Sequence, residues 1–227
     1  FFNTHLIHIR PLFTNVAHTF KYTPIEYVEV ALFAILVCAP SGIIVKWVIA
    51  WLRSVMEKVP FLYRGPIGAL AMFIIAMVAW FGFNISPEHT LGMGEHTLVA
   101  LFDNQADPIL QVWWVLLILM VVKLLTTAFT LGCGGSAGLF IPAMFMGGVS
   151  AASIYYLLVE LGIPLTGGGP DLIMVAGICV ALVSVVGVPI AAFAFAFEGF
   201  GAEFGPPAII SVVSCYFFLE RVRKDWL

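Results

Sequence analysis

The stretch "LGCGGSAGLFIPAMFMGG", residues 131–148, joins two of the most apolar runs of the chain, yet it opens on glycines and carries a proline. Gly132, Gly134, Gly135 and Gly138 let main chain approach main chain and take angles that other residues resist. Pro142 suits the first turn of a helix, where its missing N–H leaves no bond unmade. These residues predict a helix that starts near Phe140 and runs to Leu161. Its first-turn N–H groups have no partner inside the helix and together carry about half a unit of positive charge. Turned into a protein cavity, they hold a small anion without a full cation, which would bind a permeating ion too tightly to release it. A glycine-rich packing turn between two membrane helices fits the same spacing. On spacing alone, both readings stand.

The rest of the chain sets the surroundings of that turn. Its 227 residues are 62% hydrophobic and only 10% charged, with a mean hydropathy of +1.06, a composition that belongs in a bilayer. The apolar runs are long and continuous, not the alternating segments of about ten residues that build membrane barrels, so an all-α membrane protein is expected. A formal net charge of −3 argues against nucleic acid as a partner. Cys38, Cys133, Cys179 and Cys215 stand singly and without metal-ligand spacing, so they read as small buried residues. No paired carboxylates or nucleophile–base set appears in the spans, so neither an enzyme nor a cofactor or metal site is expected. The chain shows no signal peptide and begins at Phe1 without methionine, which leads us to expect a missing front.

Along the chain, residues 1–24 read as the end of a helix and a connecting loop, and 25–57 as a long apolar helix kinked or broken at Pro40 to Gly42. A second span covers Pro66 to Asn84, a Gly- and His-bearing connection leads to a short amphipathic piece ending near Asp103, and Ile109 to Leu131 is the surest crossing. After the helix of the opening stretch come two shorter pieces, about 171–186 and 189–198, split by "GVP", then a helix from Pro207 to Glu220 and a basic tail over 222–227. Pieces shorter than roughly 20 residues predict broken, re-entrant helices, which are tolerated only against protein or a water-filled pathway.

With these residues in place, a resemblance enters. "GCGGSAGLFIP" resembles the glycine-rich entry to the Gly-x-Phe-x-Pro motif of the CLC family of chloride channels and chloride/proton antiporters, with Gly138, Phe140 and Pro142 at its fixed positions. "KLLTTAFTLG" is similar to the helix leading into that motif, and "FNISPEHTLGMGEHTLVALF" to a Gly-rich stretch before a short helix. The long segment from Val175 to Leu219, with Pro189 and Glu198 in matching order, resembles the family's segment on the C-terminal side of the motif. The resemblance implies an inverted-repeat bundle, of which 25–57 is the last helix of the first repeat and 58–221 the second repeat. It implies an anion held by the N–H groups of Leu139 and Phe140, with Gly138 and Pro142 shaping the turn. The family's serine loop, its gating-glutamate loop and its binding tyrosine have no counterpart in this sequence, and Tyr216 lies inside the last helix. Chloride flux is therefore expected to need a missing half or a partner chain.

The resemblance further implies a homodimer meeting along about 28–50 and 190–219, a cytoplasmic C-terminus, and residues 53–64 on the outer side. Charge alone does not orient the chain, because Arg53, Lys58 and Arg64 balance Arg221, Arg223 and Lys224. His5 falls where antiporters carry an internal proton-transfer acid, which makes it either a proton relay or a solvated loop histidine. Lys123 and Glu198 are charges within apolar runs, and read either as pathway charges or as structural groups satisfied by hydrogen bonds or by each other. The expected protein is a voltage-gated-type chloride channel or chloride/proton antiporter, in a bacterial plasma membrane since no soluble domain follows the last helix. A fluoride/proton antiporter of the same family and a non-conducting scaffold or regulatory half-protein are the alternatives.

Overall fold

A computed structural model describes residues 23–92, 94–102, 108–135, 138–163, 165 and 169–226. His5 and nearly all of the 1–24 segment lie outside the described residues. What is described is helical: α1 (Pro24–Met56), α2 (Phe61–Phe83), the single turn α3 (Pro87–Thr90), α4 (Glu95–Phe102), α5 (Trp113–Gly132), α6 (Phe140–Glu160), α7 (Gly169–Val186), α8 (Pro189–Gly199) and α9 (Gly205–Trp226). Among the described residues six helices are long and apolar enough to cross a membrane: α1, α2, α5, α6, α7 and the Ala202–Val222 stretch that contains most of α9. At 11 residues α8 reaches about 16 Å, half of a hydrocarbon core of about 30 Å.

Local chemistry explains where each helix begins and ends. Glu26 reaches back to the Thr23 N–H, and Pro24 stands at the first position, so α1 starts there. The disruption expected at Pro40 is absorbed within the helix: Ala34–Cys38 winds as a π-helical turn shortly before Pro40, and α1 continues to Met56. Proline removes one N–H and crowds the preceding turn, and a π-turn accommodates both by spreading the bonds over one more residue. At Leu182–Val186 a second π-turn ends α7, Gly187 takes a left-handed φ of 85°, and Pro189 opens α8. That reproduces the two pieces split by "GVP". The tail expected from residue 222 is the last turn of α9 instead.

The centre of the fold is the α6–α7 pair, flanked by α5 and α1. Gly147 and Ala151 on α6 meet Gly177 and Ala181 on α7, two small-x-x-x-small stripes that let the backbones touch. Ser153 Oγ donates to the Trp113 carbonyl at 2.7 Å and ties α6 to the start of α5. On α1, Gly42 faces Ser184, so part of the 28–50 stretch expected at a dimer surface packs inside the chain, while Leu36, Ile44 and Trp47 remain outward. α2 keeps Leu70, Phe73 and Phe81 exposed, a surface suited to lipid.

Candidate anion site at the start of α6

The turn into α6 is built by the end of α5. Gly134 sits at φ 90°, its N–H donates to Leu131 O at 3.2 Å, and the Gly135 N–H donates to Thr130 O at 2.9 Å. That pair of bonds is a Schellman stop, which needs a residue without Cβ at the left-handed position. A Cβ on Gly135 would also meet Thr130 O at 2.7 Å. These glycines therefore end one helix, and that local stop accounts for both of them.

Gly138 and the motif after it do something else. Leu139 caps α6, and the first bond inside the helix runs from the Ala143 N–H to Leu139 O at 3.0 Å. The N–H groups of Phe140 and Ile141 precede it and by helix geometry have no acceptor within α6, and Pro142 has none to offer. Gly138, Phe140, Ile141 and Pro142 line a cavity of about 520 Å³. Its other walls are Thr126, Thr127 and Thr130 of α5, Met72 of α2 and the Thr90 to Gly92 connection. Leu139 packs against the apolar core and is not among the lining residues. Phe140 stands edge-on to Phe195 of α8, with centroids 5.7 Å apart, which fixes the ring that flanks the turn.

Lys123 is 2% exposed, on the same face of α5 as the threonines and one turn earlier. Its Nζ donates to the Gly92 carbonyl and lies 5.3 Å from the centroid of the Phe145 ring. A hydrogen bond to a backbone oxygen and a cation–π contact thus partner this charge inside the protein. Glu198 needs a correction. It is exposed on this chain, not buried, because α8 turns Ala192 and Ala196 inward and leaves the opposite face outside. The two charges do not pair, whereas Arg53 and Glu57 form an ion pair 3.6 Å apart on the surface. Tyr216 lines a separate, smaller cleft with Gly187 and Pro189.

The threonines are what sequence reasoning missed. Their signal was legible: hydroxyls at 126, 127 and 130 occupy one helical face immediately before the glycine-rich turn. Among the described residues no three His, Cys, Asp or Glu side chains gather as metal ligands.

The described residues thus form an all-helical membrane bundle in which a helix N-terminus opens on a hydroxyl-bearing cavity. The family model described as voltage gated chloride channel matches residues 1–220, and the chain belongs to that family, the CLC family. It is an integral, multi-pass membrane protein. Over 159 residues, 70% of this chain, it is 29% identical to an archaeal relative, "Uncharacterized protein MJ0305" of Methanocaldococcus jannaschii. The match spans 35% of that relative's length. No solved structure matches significantly.

Proposed function

We propose that this chain forms one wall of the anion pathway of a CLC-type chloride channel or chloride/proton antiporter. The observation that carries this reading is the cavity of about 520 Å³ into which the first turn of α6 opens. The N–H groups there are neutral, preorganised donors, so they replace the water shed by a small anion without the deep well of a bare cation. No bond is made or broken, so no enzyme chemistry is involved. The full-length polypeptide or a partner chain supplies the serine, glutamate and tyrosine that the family resemblance implies, two copies form the homodimer, and residues 25–57 and 58–221 belong to successive repeats. A bacterial plasma membrane and a relay role for His5 in proton coupling are parts of the same proposal.

Reconstitution tests it. Liposomes holding the full-length protein are expected to release chloride, and liposomes holding residues 1–227 alone are expected to stay sealed. Specific chloride efflux from the short chain overturns the claim that the site is shared. Proton movement coupled to that efflux marks an antiporter, flux of fluoride in place of chloride marks the fluoride branch, and a full-length protein silent to every anion leaves the scaffold role.

A further inference from the structure

The cavity at the start of α6 holds one polar side chain that its own helix does not use. Thr126 Oγ1 donates to Lys123 O at 3.1 Å, and Thr130 Oγ1 donates to Thr126 O at 2.8 Å and lies 3.0 Å from Met72 Sδ. Thr90 Oγ1 donates to Pro87 O at 3.1 Å. Thr127 differs from all three: its hydroxyl makes no hydrogen bond among the described residues, although the residue is only 6% exposed and lines the cavity. The back-bond a helical threonine commonly makes, to the carbonyl four residues earlier, is pre-empted, because Lys123 O already accepts from Thr126. A buried hydroxyl without a partner is costly, so its occurrence beside an open cavity points to an occupant.

The neighbouring groups indicate the occupant's charge. The N–H groups of Phe140 and Ile141 are donors, no carboxylate lines the cavity among the described residues, and the Gly92 carbonyl at its wall is taken up by the Lys123 ammonium. Donors thus line the cavity while the Gly92 carbonyl is occupied by a cation, an arrangement that favours an anion over a cation or a neutral solute. We propose that Thr127 donates its Oγ1–H to the small monovalent anion held at the first turn of α6, as a selectivity-determining ligand. This rests on the cavity being an anion site. A β-branched side chain has few χ1 choices in a helix, so the donor stands at a defined place and sets how large an ion it reaches.

Bromide is the probe. In the full-length protein, titration with bromide should show Thr127→Val binding about tenfold more weakly than the parent, with Thr127→Ser within about threefold of it. In crystals of the unmodified protein grown in bromide, the anomalous peak should lie within hydrogen-bond reach of Thr127 Oγ1. A valine variant that binds as tightly as the parent, or a bromide at the α6 turn beyond reach of Thr127, overturns the assignment and leaves the anion site standing. Absence of bromide from the turn in the unmodified protein overturns both. If the valine variant does not fold, the bromide position decides alone.

Discussion

Replacing Gly147 with alanine should loosen the whole site from a distance. The new Cβ would lie 2.5 Å from the Ala181 Cβ and closer still to the Gly177 carbonyl, against an ordinary carbon–carbon contact of about 3.5 Å. Neither neighbour is the tip of a flexible side chain, so α6 and α7 must part by about 1 Å. Overpacking of this kind costs about 2 kcal/mol, which in a protein of this size lowers the melting midpoint by about 4–8 °C. Seven residues, about 10 Å, separate Gly147 from Phe140, so the shift is carried to the first turn of α6 and anion flux should fall as well. The reciprocal change, Gly177→Ala, would meet Ala151 Cβ at 2.6 Å and should behave alike. The double variant should cost less than the sum, because the first methyl has already opened the crossing. Gly82→Ala is the control: nothing lies within 4 Å of its Cβ, and within helix α2 the change should be neutral or stabilise by up to about 1 kcal/mol. Thermal unfolding of the detergent-solubilised full-length protein measures all four. A Gly147→Ala midpoint within about 1 °C of the parent would refute the close crossing of α6 and α7.

Gly94→Ala combines a left-handed φ of 89° with a Cβ placed 2.5 Å from the Phe145 ring, and should lower stability by about 2–3 kcal/mol in the same melt. That ring also lies beneath the Lys123 ammonium, and an undisturbed melting midpoint would refute the close contact between Gly94 and Phe145. Lys123→Met should cost about 1–3 kcal/mol by stranding the Gly92 carbonyl, Glu198→Gln should cost little, and the two should add to within about 0.5 kcal/mol. A double variant that regains the stability lost in the first would instead show that the two charges pair.

Helix type and span were readable because the apolar runs exceed what a soluble core needs, and because proline and glycine mark the ends. Pro142 and Pro189 stand where helices begin, and Gly187 stands where one ends. Pro40 was the harder case. Written in sequence, it looks like Pro142, but a proline starts a helix only where the preceding turn is free to stop. Residues before Pro40 are held by packing, with Val30, Ala34 and Cys38 fully buried, so the chain takes a π-turn instead of breaking. Glu198 was misjudged for a related reason: an apolar run of residues does not say which face of a short helix meets protein.

The residues of the opening stretch do different structural work. Gly134 and Gly135 are consumed in stopping α5, Gly147 and Gly148 in packing α6, and among the described residues of the stretch Gly138, Phe140, Ile141 and Pro142 line the cavity. Lys123 joins the same division of labour. If the cavity holds an anion as proposed, a cation facing it directly would trap that ion, and an unmasked Gly92 carbonyl there would repel it. On the proposed reading, with the ammonium bound to that carbonyl, the acceptor is neutralised and the positive charge stays one step back from the cavity. The sequence could show a lysine in an apolar helix and a glycine in a distant connection; it could not show that each answers the other. That pairing spans 31 residues and exists only once α5 and the Gly92 connection are packed together.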